Sequence, residues 1–282
     1  MKSLATLANE FAIPDLDLFF YTLGLWNPEP PDVYLFCDET VSAWLAEQKR
    51  YEGRLFTQET LNVYTGLRRR DMERMPGHTC RTLFGDFTAE KTNLLEWAFS
   101  LIDEGEGVLF CDTDICFLGP LPSIPDRKTL AVSRHMIRSA DTALYGIYNA
   151  GFIWMKEVGL ARRWRELCQT SRFFEQACIE DLVAETPTTY EYPIQVNYGW
   201  WRLLQADTTV IERSEEWGLS RTEGVTVQGA PLLSVHTHFH EKRDTPTVEF
   251  NEWVFSWLRT VPKSHNKTAA LIHKLTREAG LV

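Results

Sequence analysis

The stretch VLFCDTDICFLGPLP, residues 108–122, decides how this sequence folds. Its first four residues are all apolar, which is typical of a strand at the centre of a parallel sheet that helices cover on both faces. Asp112 and Asp114 follow directly, one residue apart. Because ligands of open α/β sheets bind beyond the carboxyl ends of the strands, we expect both carboxylates to lie at a binding site.

This carboxylate pair has the chemistry of a metal site. Asp112 and Asp114 could chelate Mg²⁺ or Mn²⁺, because these hard ions prefer oxygen ligands. A diphosphate could complete the coordination, and the ion would then act as a Lewis acid on the leaving group. The alternative is a surface loop with two solvated aspartates. The apolar strand before the pair and the apolar Phe117 and Leu118 after it favour the metal site.

Strands and helices alternate around this stretch and predict an α/β fold with an open, mostly parallel sheet flanked by helices. The hydrophobic periodicity predicts strands at 4–7, 33–37, 108–111, 148–155 and 232–239. It predicts helices from Pro14, at 88–103 with Thr88 as N-cap, at 160–170, at 173–184, and at 251–280 with Gly280 as C-cap. Between these elements, the part of the chain after residue 133 is less regular.

Composition and charge limit which partners and which cellular location we expect. The formal net charge of −10 over 282 residues argues against nucleic-acid partners, because phosphate neutralisation needs clustered Lys and Arg. Six dispersed cysteines without a CxxC pair predict no disulfide framework and a reducing compartment. No segment approaches the ~20 apolar residues of a membrane span. We therefore expect a cytoplasmic protein, at most peripheral to a membrane.

An Asp-x-Asp pair after an apolar strand also opens the haloacid-dehalogenase phosphatases. In those enzymes the first Asp is the nucleophile, and Thr or Val usually stands two residues after the second. Cys116 stands at that place, and more than a hundred residues precede a motif that the phosphatases carry near their N-terminus. Both departures count against a phosphatase.

The motifs of this sequence, in their order along the chain, resemble those of the GT-A-fold glycosyltransferases. They are most similar to those of the retaining enzymes related to glycogenin and the bacterial lipopolysaccharide galactosyltransferases. The resemblance spans most of the chain. The matching segments are Leu4–Ala8 for the first strand and nucleotide loop, Asp112–Asp114 for the DxD motif, Asn149–Phe152 for the NAG segment, Glu175-Gln176 for the Asp-Gln pair, and the late histidines. The resemblance implies one GT-A domain over 1–282, with a nucleotide-binding half (1–132), a donor-sugar and acceptor half (133–250) and C-terminal helices (251–282).

The resemblance also implies residue roles and ligands. The donor nucleotide would be bound by Thr6, Ala8, Asp38, Lys91 and Asp112, the donor sugar by Asn149 and Gly151, and the metal by Asp112, Asp114 and His236 or His238. The cofactor would be Mn²⁺ or Mg²⁺. The donor would be a nucleotide-diphosphate sugar, with UDP favoured, and the acceptor a glycan or glycoconjugate. For Gly151, a plain β-bulge glycine is the alternative.

Carboxylates near residue 180 are candidates for catalysis. On a helix over 173–184, Asp181 lies on the apolar face with Ala177 and Cys178, where an unpaired charge is costly. Asp181 or Glu180 could be the base of an inverting enzyme, whereas Gln176 would face the reacting carbon of a retaining one. A buried salt bridge is the alternative. Because the family's Asp-Gln pair is Glu-Gln here, the stereochemical outcome stays open.

Histidines and tryptophans complete the candidate site. His236, His238 and His240 occupy alternate positions along one predicted strand. One imidazole that binds the metal together with Asp114 explains this segment with fewer assumptions than a zinc hydrolase site does. His236 ranks first because it ends an apolar run; a structural imidazole is the alternative. Trp200 and Trp201 could stack on an acceptor pyranose, or belong to the core.

The arginines at 68–70 could face an anionic acceptor, although a solvated helix face is the simpler interpretation. Taken together, the residues and the resemblance predict a metal-dependent hexosyl- or pentosyltransferase that moves a sugar from a nucleotide-diphosphate sugar to a carbohydrate hydroxyl. The resemblance favours a UDP-sugar and retention of configuration. A phosphatase and a non-catalytic glycan-binding module are the alternatives.

Overall fold

The structure is a computed structural model that describes residues 1–47 and 49–278. Its strands, in chain order, are β1 (Ser3–Ala8), β2 (Asp32–Cys37), β3 (Leu55–Glu59), β4 (Val108–Cys111), β5 (Ile115–Phe117), β6 (Leu130–Arg134), β7 (Tyr148–Met155), β8 (Thr189–Glu191), β9 (Tyr198–Gly199), β10 (Trp217–Ser220), β11 (Gly224–Val227), β12 (Ala230–Pro231) and β13 (Ser234–His236). Its helices are α1 (Ile13–Trp26), α2 (Glu39–Glu47), α3 (Arg69–Met72), α4 (Leu83–Phe99), α5 (Ser139–Tyr145), α6 (Val158–Cys168), α7 (Ile179–Ala184), α8 (Trp200–Leu204), α9 (Val210–Glu215), α10 (Thr245–Thr260) and α11 (Asn266–Glu278).

A seven-stranded sheet forms the centre, in the order β3-β2-β1-β4-β7-β6-β8. Only β7 runs against its neighbours, since it pairs antiparallel with β4 and β6 while the other pairs are parallel. The predicted α/β architecture, an open and mostly parallel sheet flanked by helices, is therefore confirmed. Strand β6 crosses residue 132, where the sequence analysis placed the boundary between the two halves.

The apolar run at 108–111 packs into both layers of the core. Val108 and Phe110 lie in a cluster with the α4 residues Leu94 and Leu95, while Leu109 and Cys111 lie in a second cluster that includes the α1 residues Leu16, Phe19 and Phe20. Successive side chains of a strand point to opposite faces, so a strand with helices on both sides has no polar face. This explains why the run carries no alternation.

Several predicted boundaries are wrong. Helix α4 begins at Leu83, five residues before Thr88. Its N-cap is Thr82, which accepts the Gly85 N–H at 3.1 Å, whereas the Thr88 hydroxyl donates to the Gly85 carbonyl inside the helix. The predicted strand 232–239 is only Ser234–His236. The C-terminal segment forms two helices because Pro262 cannot continue α10. The predicted cap Gly280 lies outside the described residues.

The helix predicted at 173–184 starts only at Ile179. Phe174 has a φ of 41°, in the left-handed region, which no residue of an α-helix adopts. The segment 173–178 is therefore a turn, and its side chains do not follow helical periodicity. Over the residues that the structure describes, no helix is long and apolar enough to cross a membrane. The cytoplasmic location stays a prediction.

Candidate active site

The two aspartates lie in a tight turn between β4 and β5, and the backbone holds this turn from both sides. The Asp112 N–H donates to the Gly151 carbonyl of β7 at 2.9 Å. On the other side, the Thr237 N–H donates to the Asp114 carbonyl at 2.9 Å. The backbone from which both carboxylate side chains extend is therefore held in place at the carboxyl end of β4.

His236 reaches the aspartates through strand pairing. Strand β13 runs antiparallel to β5 with His236 opposite Ile115, which puts the imidazole beside the preceding turn. His236 Nε2 lies 3.0 Å from Asp114 Oδ1 and 3.8 Å from Asp112 Oδ2. One ligand atom from each of the three side chains lies within 4.8 Å of the others. Two carboxylates and one imidazole are a donor set that suits Mn²⁺.

Gly151 leaves room for this cluster because it has no side chain. A β-carbon at this position would lie 2.4 Å from Asp112 Oδ2 and 2.4 Å from His236 Cε1, well inside contact distance. Only glycine fits where a strand backbone runs directly under two side chains. The glycine of the NAG segment is therefore required by the cluster above it.

Lys91 lies buried between two carboxylates at the base of the site. Its Nζ is 3.0 Å from Asp112 Oδ1 and 2.7 Å from Glu175 Oε1. Burial alone would lower the pKa of Lys91, but the two carboxylates outweigh it and raise the pKa above its usual range. Lys91 is therefore a permanent cation that orients Asp112. From the sequence, Glu175 was matched only to the Asp of the family's Asp-Gln pair, and its ion pair with Lys91 was not predicted.

Asp114 is ionised despite its burial. Burial favours the neutral carboxyl, but the neighbouring His236 and His238 outweigh that effect and hold the pKa of Asp114 well below its usual range. His238 lies further out: its side chain is 58% exposed, its Nδ1 is 2.8 Å from Asp15 Oδ2 and its Nε2 is 3.4 Å from Asp114 Oδ2. The three-residue cluster thus contains His236 and not His238.

The cluster opens into a cavity of about 990 Å³ at this edge of the sheet. The predicted site residues that line the cavity are Ala8, Lys91, Asp112, Asp114, Asn149, Gln176, Trp200, Trp201, His236 and His238. This volume is at the upper end for a small-molecule site and is large enough for a sugar nucleotide.

Two predicted nucleotide residues lie outside this lining. Thr6 is fully buried within β1. Asp38 is also fully buried, and its carboxylate accepts the Val41 N–H at 2.9 Å and the Glu10 N–H at 2.7 Å. Asp38 therefore caps α2 and fixes the loop after β1, because backbone amides occupy both of its oxygens.

Glu180 and Asp181 also lie outside the cavity. Glu180 accepts the Ile147 N–H at 2.8 Å and pairs with Arg172 at 2.7 Å. The prediction that Asp181 lies on an apolar helix face is wrong: α7 begins at Ile179, and Asp181 is exposed. Gln176, in contrast, points into the site, where its Oε1 accepts the Ala150 N–H at 3.4 Å.

The two predicted acceptor tryptophans differ in position. Trp201 is 7% exposed and packs edge-on between His135 and His236, with ring centroids 5.1 and 4.9 Å away. Trp200 is half-buried and lines the cavity. Trp201 thus packs against the cluster of Asp112, Asp114 and His236, while Trp200 is the more accessible of the two rings. Burial lowers the pKa of His135 to about 3, so this neighbouring imidazole is neutral.

The arginines at 68–70 line the cavity. Arg68 stacks over Phe11 at 4.3 Å and Arg69 over Phe84 at 4.9 Å, measured to the ring centroids. Arg69 also pairs with Glu73. These exposed guanidinium groups form a cationic rim.

Comparisons with known proteins agree with this geometry. No family model matches the chain, and neither does any curated protein sequence. Solved structures do match. The apo form of the glycosyltransferase GlyE from Streptococcus pneumoniae TIGR4 aligns with a TM-score of 0.57 at 14% identity, over 99% of this chain and 64% of that one. The galactosyltransferase LgtC, in complex with donor and acceptor sugar analogs, aligns with a TM-score of 0.50 at 14% identity, over 94% of this chain and 99% of that one.

This chain therefore spans slightly less than two thirds of GlyE and nearly all of LgtC. At 14% identity, the similarity to these two structures shows a shared fold and nothing beyond it. The fold is the GT-A fold of nucleotide-sugar glycosyltransferases, as the DxD landmark and its surroundings implied.

Proposed function

We propose that this protein transfers a hexosyl or pentosyl unit from a nucleotide-diphosphate sugar, with UDP as the favoured nucleotide, to a hydroxyl of a glycan or glycoconjugate. One observation carries the proposal. Asp112, Asp114 and His236 converge on one point at the edge of a cavity of about 990 Å³, at the carboxyl end of the central strand of a GT-A fold.

The donor set fits a divalent cation. Two carboxylates and an imidazole offer ligand atoms that all lie within 4.8 Å of one another, a spacing at which a single divalent ion could contact all three. We propose Mn²⁺ or Mg²⁺, held by Asp112, Asp114 and His236. The ion would bind the donor diphosphate and offset the charge that develops on it as the sugar departs.

The residues around the cluster support a donor in one orientation. Lys91 fixes Asp112 from below, while Asn149 and Gln176 offer amide groups to sugar hydroxyls. Ala8 lines the end of the cavity where the nucleoside would lie. Asp38 supports that end indirectly, since it fixes the loop that follows β1.

The carboxylates that line the cavity support transfer with retention of configuration. Asp112 and Asp114 belong to the metal cluster, Glu175 is paired with Lys91, and Asp15 is paired with His238. Glu241 accepts backbone N–H groups from the three residues that follow it, which holds its pKa below its usual range.

None of these five is free to act as the strong base that an inverting enzyme needs. In a retaining transfer the acceptor oxygen bonds to the anomeric carbon on the face from which the diphosphate leaves. The departing phosphate oxygen then takes the acceptor proton, so the reaction needs no protein base. Gln176 would lie beside the reacting carbon.

Trp200 and the exposed arginines at 68–70 line the cavity, and their chemistry supports acceptor binding. Aromatic rings stack on the apolar faces of pyranoses, and guanidinium groups bind carboxylates or phosphates. The phosphatase alternative has lost its support, because the DxD motif lies in a GT-A fold. A glycan-binding module without catalysis remains an outcome of the test.

The test is a thermal-shift panel of UDP, GDP, CDP and sugar phosphates, each with and without Mn²⁺. A ligand at a hundred-fold excess over its dissociation constant stabilises the fold by about 2.7 kcal/mol, which a melting curve resolves. We expect one nucleotide diphosphate to stabilise the protein only with Mn²⁺, and Asp114→Ala to remove that stabilisation. A panel in which no nucleotide diphosphate acts would refute the transferase. Stabilisation by free glycans alone, without metal, would favour the binding module.

A further inference from the structure

Asn197 lies directly behind the imidazole of His236. It is fully buried, and its side chain joins two groups of the site: Nδ2 lies 2.9 Å from Asn149 Oδ1, and Oδ1 lies 2.9 Å from His236 Nδ1. The family resemblance assigned no role to this residue.

A backbone amide determines which way both asparagine side chains point. The Gly151 N–H can only donate, so the Asn149 atom 2.9 Å away must be its oxygen. That oxygen can only accept, so the Asn197 atom that faces it must be the amide nitrogen. The remaining atom of Asn197, which faces His236 Nδ1, is therefore an oxygen.

This chain of hydrogen bonds selects one tautomer of His236. Because the Asn197 oxygen accepts, His236 Nδ1 must carry the proton. In the neutral ring, Nε2 then presents its lone pair to the side where Asp114 Oδ1 lies 3.0 Å away. A lone pair in that position is what a metal ion needs from an imidazole.

We propose that Asn197 is a positioning residue of the metal site, which holds His236 in the tautomer that leaves Nε2 free to bind the ion. This inference rests on the metal site of the proposed function. Asn197 would not touch the ion or the substrate; it acts through the imidazole.

The backbone conformation and hydrogen bonds of Asn197 hold its side chain against His236. Its φ of 59° is in the left-handed region, which Asn tolerates better than most residues. Its N–H donates to Ser234 Oγ at 3.0 Å. Ser234 and His236 are two residues apart on β13 and so share one strand face. Asn197 is thus anchored at both ends to the strand that carries the imidazole.

The experiment compares Mn²⁺ affinity and imidazole ¹⁵N shifts in three variants. Asn197→Gly removes the side chain without a backbone penalty at this φ, and Asn197→Asp keeps an oxygen that can accept from Nδ1. Gln195→Ala is the matched control: Gln195 is equally buried in the same segment, but its side chain donates to the Val227 carbonyl, away from His236.

We expect Asn197→Gly to weaken Mn²⁺ binding by about 10–100-fold, as loss of an outer-shell partner usually does. Asn197→Asp should bind Mn²⁺ more tightly than Asn197→Gly, because it keeps the acceptor for Nδ1, although both variants lose the amide that donates to Asn149 Oδ1. Gln195→Ala should bind like wild type even if it melts earlier. With Mg²⁺ and UDP bound, the ¹⁵N shifts of His236 should show a protonated Nδ1 and an unprotonated Nε2 in the wild type, and this pattern should be lost in Asn197→Gly.

Three results would overturn the inference: unchanged Mn²⁺ affinity in Asn197→Gly, equal loss in Asn197→Asp and Asn197→Gly, or wild-type shifts that place the proton on Nε2. Failure of the wild type itself to bind Mn²⁺ would refute the proposed function, and this inference with it. The control and the rescue variant thus separate the two failures.

Discussion

Gly151→Ala adds one methyl group and removes no functional side chain, yet we expect it to destroy the proposed metal site. The new β-carbon would lie 2.4 Å from both Asp112 Oδ2 and His236 Cε1. Neither neighbour can move away freely. Lys91 holds Asp112 at 3.0 Å, and the Trp201 ring packs against His236 with centroids 4.9 Å apart.

The size of the effect follows from the required displacement. Non-bonded carbon contacts are comfortable only at about 3.5 Å or more, so each neighbour must retreat by about 1 Å. Metal ligands tolerate deviations of only about 0.2 Å. A misplacement of about 1 Å typically costs about 100-fold in activity, and overpacking a buried site costs about 1–3 kcal/mol of stability.

The assay is titration of Mn²⁺ in the presence of UDP, followed by calorimetry, with a melting curve for each variant. The matched control is Gly159→Ala on α6, where a β-carbon would meet nothing within 4 Å. That change should leave binding intact and stabilise the helix by about 0.5–1 kcal/mol, because alanine loses less backbone freedom than glycine. If Gly151→Ala binds Mn²⁺ within threefold of wild type, the steric reasoning is wrong.

Three further predictions concern charge and protonation. Lys91→Met should lower the free energy of unfolding by about 3–5 kcal/mol in urea titrations, because it leaves the buried Glu175 and the half-buried Asp112 without a countercharge. The exposed Lys49→Met is the control, and an equal, small effect of both would contradict the ion pairs of Lys91. Asp181→Asn should leave the transfer rate within twofold of wild type, since Asp181 is exposed outside the cavity, and a hundredfold loss would restore it as a catalytic base. Burial lowers the pKa of His135 from 6.5 to about 3, so the unfolded chain binds this proton first. Stability should therefore fall as the pH drops below 6.5, with His135 contributing about 1.4 kcal/mol per pH unit. His135→Gln should flatten that slope between pH 6.5 and 5, and an unchanged slope would show that His135 is not the group responsible.

The regular parts of the fold were predictable because they depend on local apolar patterns. The strand Tyr148–Met155 has the bounds that its composition predicts, and β1, β2 and α1 agree within two residues. One clear failure occurs where a single residue interrupts a pattern. The left-handed Phe174 ended the helix predicted at 173–184, and with it the apolar face assigned to Asp181.

The residues of the candidate metal cluster could be named from the sequence, whereas the residues that hold the cluster in place could not. Asp112, Asp114 and His236 could be named because carboxylates after a central strand and a histidine after an apolar run are visible in sequence. Asn197 could not be named, and Glu175 was matched only to the family's Asp-Gln pair without its ion pair to Lys91, because both contacts join distant segments. Their signals, a glutamate beside Gln176 and a buried asparagine before an aromatic run, have many structural explanations.

The sequence by itself determined the kind of chemistry. An apolar run that ends in Asp-x-Asp specifies a buried strand, a turn after it and two carboxylates at that turn. All three follow from adjacent residues. Only the tertiary structure decided how the ion would be held. The β5–β13 register brings His236 to Asp114, the absence of a β-carbon at Gly151 leaves room for the cluster, and a buried amide sets the imidazole. These contacts join residues far apart in the chain, so they follow from strand pairing and packing, which no local pattern specifies.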